Sequence, residues 1–149
     1  MPDKQFASFQ REFCSVLFQR DLAKCAGFFA EFDQYEKIFS EFGTPDSLDR
    51  NFTLAKSDFL DDCKRVMDQL PKAGETLRVV KIDYSEAKIT ETDSIVRISG
   101  ALVHVGYGLR LARCTLSLPP MIMVEGKCSF VERFQGMVRF QILDPETGE

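Results

Sequence analysis

The apolar residues of this 149-residue chain change their period after Pro71. Before Pro71 they recur every three or four positions, which is the spacing of amphipathic helices. After Pro71 they alternate with polar residues, which is typical of strands. Eleven of the fourteen phenylalanines lie in the first 60 residues, within the helical half. The pattern therefore predicts a helical half followed by a β half.

Four segments of the first half have helical spacing. We predict helices over residues 4–20, over residues 21–29 with Asp21 as the N-cap, over residues 33–42, and over residues 57–70 with Ser57 as the N-cap. Between the last two helices, GTPDSLDRN has the composition of a loop and FTLAK that of a short strand. The helical half thus offers several phenylalanine-rich apolar faces for packing against a sheet.

Five segments of the second half are rich in β-branched and aromatic residues. We predict strands within residues 76–84, 94–105, 109–118, 122–130 and 137–143. These strands follow one another without intervening helices, which favours an antiparallel sheet with short turns. Helices and strands that are segregated in sequence indicate an α+β fold, with N-terminal helices packed on one face of the sheet. The length is that of a single domain, residues 1–149.

Composition and charge narrow the functional classes. The net charge is −4 and no run of Lys or Arg stands out, so direct binding of nucleic acid is not favoured, since phosphate contacts need clustered cations. The five cysteines are odd in number and form no CxxC motif, which indicates reduced thiols in an intracellular compartment. The first residues lack the apolar region of a signal peptide, and no apolar run approaches the ~20 residues of a membrane span. The motifs indicate no cofactor and no metal ion.

Three sets of polar residues are candidates for chemistry. His104 is the only histidine, and its neighbours at period two are apolar, so a packed or interface histidine is favoured over a catalytic one. Asp33 and Tyr35 could form an acid–base or oxyanion pair at a pocket, and they also fit a solvated helix start. The third set consists of Asp58, Asp61 and Asp62. These acids lack the spacing of a calcium loop. They fit the start of the last predicted helix, where the helix dipole favours negative charge.

Residues 94–105 carry apolar side chains at both alternating sets of positions. One set is Val96, Ile98, Leu102 and His104, and the other is Ile95, Arg97, Ser99, Ala101, Val103 and Val105. An antiparallel sheet with one face in water alternates more cleanly. Because the helices can cover only one face, we expect another molecule to cover the second face, near Met121, Met123 and Met137, as in an oligomer interface.

The order of elements and several motifs resemble the nuclear transport factor 2-like family. SDFLDDCKRVMDQLP, leading into LRVVKIDY and then IVRISGALVHVGYG, is similar to the family's helix ending in Leu-Pro and the two long strands that follow it. FQGMVRFQILDP resembles the closing strand of the small subunits of messenger RNA export receptors. The resemblance covers about residues 5–145 and implies helices on a strongly bent antiparallel sheet that forms a cone.

The resemblance implies a non-enzymatic subunit of nuclear transport, in particular of mRNA transport out of the nucleus. We expect it to dimerise through its sheet with a protein of the same fold, as a heterodimer or a homodimer, to help bind Phe-Gly nucleoporin repeats, and to shuttle between nucleus and cytoplasm. The residues expected at the partner interface are Arg97, Val103, Val105, Arg113, Met123 and Phe140. The alternative is a small-molecule pocket protein, or an isomerase- or dehydratase-like enzyme of the same fold, in which Asp33, Tyr35 and His104 line a pocket.

Overall fold

The α+β class predicted from the sequence is confirmed. The computed structural model describes residues 4–40, 43–70, 76–92, 95–107, 112–134 and 138–142, and within these ranges it describes the backbone alone for residues 112–113 and 139–142. Four helices come first in these ranges and eight strands follow, with no helix between the strands.

The first two helices begin where the sequence predicts. The helices are α1 (Lys4–Phe18), α2 (Leu22–Ala26), α3 (Phe32–Phe39) and α4 (Pro45–Gln69). Asp21 caps α2, because its Oδ1 accepts a hydrogen bond from the Lys24 N–H at 3.1 Å. The predicted extension of this helix to Phe29 is wrong. The Ala30 N–H donates to the Phe130 carbonyl at 2.8 Å, so residues 28–30 run along the edge of a sheet instead.

Helix α4 replaces several predicted elements. The loop and the short strand predicted between residues 43 and 56 are wrong, because the helix already starts at Pro45. The Thr44 side chain caps it by accepting a hydrogen bond from the Ser47 N–H at 3.2 Å. Proline suits the first turn, where a backbone N–H would lack a helical partner. Ser57 accordingly lies inside the helix and is not an N-cap.

The strands form two antiparallel four-stranded sheets. They are β1 (Arg78–Asp83), β2 (Lys88–Thr92), β3 (Ile95–Ser99), β4 (Leu102–Gly106), β5 (Ala112–Ser117), β6 (Met121–Val124), β7 (Lys127–Phe130) and β8 (Arg139–Ile142). The first sheet has the order β1-β4-β5-β8 and the second has the order β2-β3-β6-β7. Strand β2 was not predicted, because four of its five residues are polar and all five are exposed. The single strand predicted over residues 122–130 is wrong, since Glu125 and Gly126 turn the chain there with φ of 52° and 79°.

The chain alternates between the two sheets. Each of the pairs β1 and β2, β3 and β4, β5 and β6, and β7 and β8 has one strand in each sheet. The chain passes from one sheet to the other at four breaks, one within each pair. At the second break Gly100 has a φ of +83°, and a Cβ there would lie 2.9 Å from the Glu86 carbonyl oxygen. Glycine suits both conditions. The third break is tied to the second by a 3.1 Å hydrogen bond from the Leu118 N–H to the Ala101 carbonyl.

The break at Gly100 changes which side chains point toward the helices. Ile98 is the buried residue of β3, at 1% exposed, whereas Val103 and Val105 are the buried apolar side chains of β4, at 0%. In an uninterrupted strand, Ile98 would lie on the face opposite to Val103 and Val105. The predicted division of residues 94–105 into two continuous faces is therefore wrong.

One aromatic core joins the helices to the sheets. Phe13 of α1, Phe59 of α4 and Phe130 of β7 are fully buried. The ring centroids of Phe13 and Phe130 are 4.7 Å apart, and those of Phe59 and Phe130 are 5.5 Å apart. Such ring pairs stabilise by about 1 kcal/mol each beyond the burial of their surface. Met121 is buried in this core, so its expected place beneath another molecule is wrong.

A smaller apolar cluster lies on the other side of β6. It includes Tyr35 of α3 together with Ile122 and Val124. These two strand residues alternate with Met121 and Met123, which pack on the main core. The chain's own helices thus cover both sides of β6, and the expectation that they cover only one face is wrong for the second sheet.

Candidate functional site

The first sheet has one face beneath the helices and one face without such cover in the described structure. Val103 and Val105 of β4 and Cys114 and Leu116 of β5 are 0% exposed in the main core. Leu102 belongs to neither apolar cluster. The opposite surface is called the outer face below and consists, among the described side chains, of Arg78, Lys81, Asp83, Leu102, His104, Gly106, Thr115 and Ser117.

The strand register determines the outer face. Lys81 pairs with His104, and Asp83 pairs with Leu102. Directly opposite residues of an antiparallel pair lie on the same face of the sheet. The register of β1 shifts between Val79 and Lys81, so the alternation restarts there and brings both Lys81 and Asp83 onto the outer face.

Arg78 lies over the neighbouring strand at its register partner, Gly106. A Cβ at Gly106 would lie 3.0–3.1 Å from three atoms of the Arg78 guanidinium. The missing side chain at Gly106 therefore provides the room that the guanidinium occupies. Arg78 is exposed, so its positive charge is available at the surface of the outer face.

His104 and Asp83 lie diagonally across β4 and β1. The His104 Nε2 is 3.9 Å from the Asp83 Oδ2. Asp83 also accepts a 2.8 Å hydrogen bond from the Ser85 N–H, which is the main cause that lowers the pKa of its carboxyl group, and Lys81 and His104 lower it further. Asp83 is therefore an ionised acid close to the positive charge of Lys81.

Two of the residues expected at a partner interface belong to the core. Val103 and Val105 are each 0% exposed among the helices, so neither side chain is available to a partner. This corrects the expectation for both residues. The physical reason is the break at Gly100, which leaves Leu102 and His104 on the outer face.

The other four expected interface residues have different surroundings. Arg97 of β3 forms an ion pair with Glu132, with its Nη2 at 2.8 Å from Oε2, and remains 38% exposed. Met123 is half-buried against the main core. The side chains of Arg113 and Phe140 lie outside the described residues, although their backbones belong to β5 and β8.

The described contacts do not bring Asp33, Tyr35 and His104 together. Asp33 is exposed at the start of α3, where its Oδ1 accepts a 2.9 Å hydrogen bond from the Gln34 N–H. Tyr35 is buried with its ring centroid 4.6 Å from that of Phe39, and burial is the main cause that raises the pKa of its hydroxyl. His104 lies on the outer face of the first sheet, whereas α3 packs beside the second sheet.

The cleft beside Asp33 is charged and small. Its volume is about 260 Å³, and it is lined by Glu31, Asp33, Gln34, Lys37, Val124, Glu125 and Lys127. Small-molecule sites are mostly apolar and have volumes of roughly 300–1,000 Å³. The geometry of this cleft therefore does not favour a pocket protein or an enzyme that uses Asp33.

The acidic group of α4 binds an arginine of the same chain. Asp62 accepts hydrogen bonds from the Arg133 Nε at 3.0 Å and Nη2 at 2.9 Å. Asp58 Oδ2 lies 3.7 Å from Arg133 Nη1. These acids lie well inside α4, so their predicted place in its first turn is wrong. In the ranges that the structure describes, no group of three or more His, Cys, Asp or Glu side chains could hold a metal ion.

The five cysteines form no disulfide, and four of them are fully buried. Burial raises the pKa of Cys14 to about 12 and that of Cys114 to about 11. The interaction between the thiols of Cys25 in α2 and Cys63 in α4 is the main cause that raises the pKa of Cys63. These groups behave as small apolar side chains in the core.

The sequence patterns do not single out Arg78, Lys81 or Leu102. The signal that could have found Leu102 is Gly100, since a glycine inside a strand pattern marks a bulge or a break. Treating Gly100 as a break separates Leu102 from Ile98 and assigns the two residues to different faces.

Comparison of the chain with protein-family models, with curated proteins and with solved structures found no match. None of the helices in the described ranges is both long enough and apolar enough to cross a membrane. Function is therefore inferred from the fold and from the outer face.

Proposed function

We propose that this protein is a non-enzymatic subunit of nuclear transport, in particular of messenger RNA export, and that it dimerises through its sheet with a partner of the same fold. The observation that carries the proposal is the outer face of the first sheet, which the described helices leave uncovered. A helix layer covers the inner face, and a second protein layer on the outer face would complete a buried sheet. The half-buried Leu102, which has no place in either core, supports this arrangement.

The topology supports the family resemblance. In the nuclear transport factor 2-like cone, a long antiparallel sheet bends strongly beneath the helices. Under the proposal, the two sheets are the two parts of that bent sheet, and the four breaks mark the bend. Gly100 is the position where the backbone geometry is most restrictive, because of its positive φ and its close approach to Glu86.

The size of the outer face indicates how far a partner must extend. Four strands about 4.8 Å apart, with four to six residues at about 3.4 Å each, cover at most roughly 19 by 20 Å. A stable interface takes roughly 800 Å² from each partner, about twice this area. The partner therefore also covers neighbouring surface, and Arg97 with Glu132, beyond the break at Gly100, is a candidate for that part.

The cellular part of the proposal rests on the resemblance. The resemblance assigns the protein to the nucleus and the cytoplasm, with shuttling through the nuclear envelope. It also assigns to the dimer a contribution to the binding of Phe-Gly nucleoporin repeats.

Affinity purification from the native cell, followed by mass spectrometry, tests the proposal. Leu102→Glu introduces a charge on the outer face, and Leu54→Glu introduces the same charge on α4, where Leu54 is 63% exposed. We expect the wild type and Leu54→Glu to retain a same-fold partner from the export machinery, and Leu102→Glu to lose it while keeping its thermal unfolding temperature. Retention of the partner by Leu102→Glu contradicts the interface, and a partner unrelated to nuclear export contradicts the assigned function.

A further inference from the structure

We infer that the outer face selects an acidic surface on a protein partner and excludes a second copy of this chain. The inference rests on the proposed function, since it assigns the chemistry of the partner at the same face. It is carried by the distribution of charge over the strands of the first sheet.

Lys and Arg predominate at the outer-face positions. Arg78 and Lys81 are exposed cations of β1, and Asp83 is the one acid among the described side chains of this face. The described part of the outer face therefore has two exposed cationic side chains and one acidic side chain.

The opposite side of the molecule has the opposite charge. Residues 1–70, which form the helical half, contain 13 Asp and Glu and 9 Lys and Arg, a difference of −4 that equals the net charge of the chain. Residues 71–149 contain 10 of each. The helical half thus carries the chain's excess of acids, and the cations of the outer face lie on the other side of the first sheet from it.

This separation of charge discriminates between partners. A second copy would present the same excess of cations from both sides of the interface, and like charges across an interface suppress association. An acidic face would meet opposite charge instead, which accelerates association and fixes register. A heterodimer is therefore favoured over a homodimer at this face.

A protein surface is favoured over nucleic acid for two reasons. The described side chains of the outer face include no Phe, Tyr or Trp on which bases could stack. Asp83 and Leu102 lie on the outer face together with Arg78 and Lys81. The outer face therefore combines charges of both signs with an apolar contact, as protein interfaces do.

Binding of a labelled polyglutamate peptide, measured by fluorescence anisotropy in about 50 mM salt, tests the inference. We compare the wild type with Arg78→Glu/Lys81→Glu and with the matched control Arg50→Glu/Lys64→Glu, whose residues are exposed on α4. Reversing two charges changes the sum over the described Lys, Arg, Asp and Glu side chains of the outer face from +1 (two cations less one acid) to −3 (three acids). We expect at least about tenfold weaker binding for the first variant and less than about threefold for the control.

The second variant Arg78→Gln/Lys81→Gln removes the charges without adding acids, and it should weaken binding in the same direction. Equal weakening by the α4 control overturns the inference. Tighter binding of a polyuridylate oligonucleotide of the same length, lost in Arg78→Glu/Lys81→Glu, also overturns it and assigns the face to nucleic acid. A wild-type homodimer in sedimentation equilibrium that Arg78→Glu/Lys81→Glu dissociates overturns the exclusion of a second copy.

The failure of this inference is distinguishable from that of the proposed function. If Leu102→Glu releases the native partner but polyglutamate does not bind through Arg78 and Lys81, the charge selection is wrong and the interface stands. If polyglutamate binds through these two residues but Leu102→Glu keeps its partner, the proposed sheet-mediated pairing is wrong and the acidic preference of the face stands.

Discussion

Arg133 donates two hydrogen bonds, at 2.9 and 3.0 Å, to the carboxylate of Asp62 on α4. Asp62 is 7% exposed, and Arg65 adds a weaker contact at 3.4 Å. The two parallel bonds fix the direction of the guanidinium as well as its distance. They hold the segment after β7 against α4, just before the chain passes to β8 at the edge of the first sheet.

Removal of either member of this pair should destabilise the fold. We expect Asp62→Asn to lower the free energy of unfolding by about 1–3 kcal/mol, because the charged acceptor is replaced by a weaker one in a buried position. Arg133→Gln should also destabilise, since it leaves a buried carboxylate without its main partner. Urea unfolding of both single variants and of the double variant gives the coupling, and we expect the double variant to lose less than the sum.

Asp58→Asn is the matched control for that cycle. The Asp58 carboxylate is 49% exposed and lies 3.7 Å from Arg133, so we expect a change of no more than about 0.5 kcal/mol. Strict additivity of the Asp62 and Arg133 variants would contradict the stabilising role of the pair.

The backbone at Gly100 should tolerate alanine less well than the backbone at Gly126. Both glycines have a positive φ, +83° and +79°, but a Cβ at Gly100 would lie 2.9 Å from the Glu86 carbonyl oxygen, whereas a Cβ at Gly126 would meet nothing within 4 Å. We expect Gly126→Ala to lower the free energy of unfolding by about 1 kcal/mol, because alanine disfavours this positive φ. Gly100→Ala should cost about 2–4 kcal/mol, because the steric contact adds to the strain. Equal shifts of the two urea midpoints would show that the break at Gly100 does not depend on the close approach to Glu86.

The buried thiol of Cys14 makes stability depend on pH in the alkaline range. Burial raises its pKa from 9.0 to about 12, so the unfolded chain loses this proton at lower pH than the folded protein. The stabilisation is therefore fully present below pH 9.0 and is lost as the pH rises toward about 12. We expect Cys14→Ala to be less stable by a constant amount below pH 9 and to show a shallower decline above it, measured by urea unfolding at each pH.

Cys114→Ala provides a second reading of the same effect. Burial raises the pKa of Cys114 from 9.0 to about 11. The stability of Cys114→Ala should therefore fall less steeply with pH than that of the wild type, over the narrower range between these two values. Stability curves of Cys14→Ala and the wild type that run parallel from pH 8 to pH 12 would contradict the assignment.

The sequence predicts the class of the fold but not the start of α4. The change of period after Pro71 is sufficient for the α+β order, and Asp21 is a local cap that composition reveals. Around Pro45 the local composition indicates a loop. There the helix is favoured by contacts from other elements, such as the Phe52 ring, whose centroid lies 5.3 Å from that of Tyr35.

The candidate site depends on relationships that strand periodicity cannot give. Lys81 reaches the outer face only because the register of β1 shifts after Val79, and Leu102 reaches it only because of the break at Gly100. A shift of one residue moves every following side chain to the other face. Arg133 and Asp62 are 71 positions apart, so their pairing needs the tertiary structure.

Cross-linking of the complex from native cells with an amine-reactive reagent, followed by mass spectrometry, tests the central claim most directly. Lys81 is exposed on the outer face, whereas Lys24 and Lys64 are exposed on α2 and α4. We predict cross-links from Lys81 to a protein partner and a reactivity of Lys24 and Lys64 that the partner does not change. Cross-links to the partner from Lys24 and Lys64, with none from Lys81, would contradict pairing through the sheet.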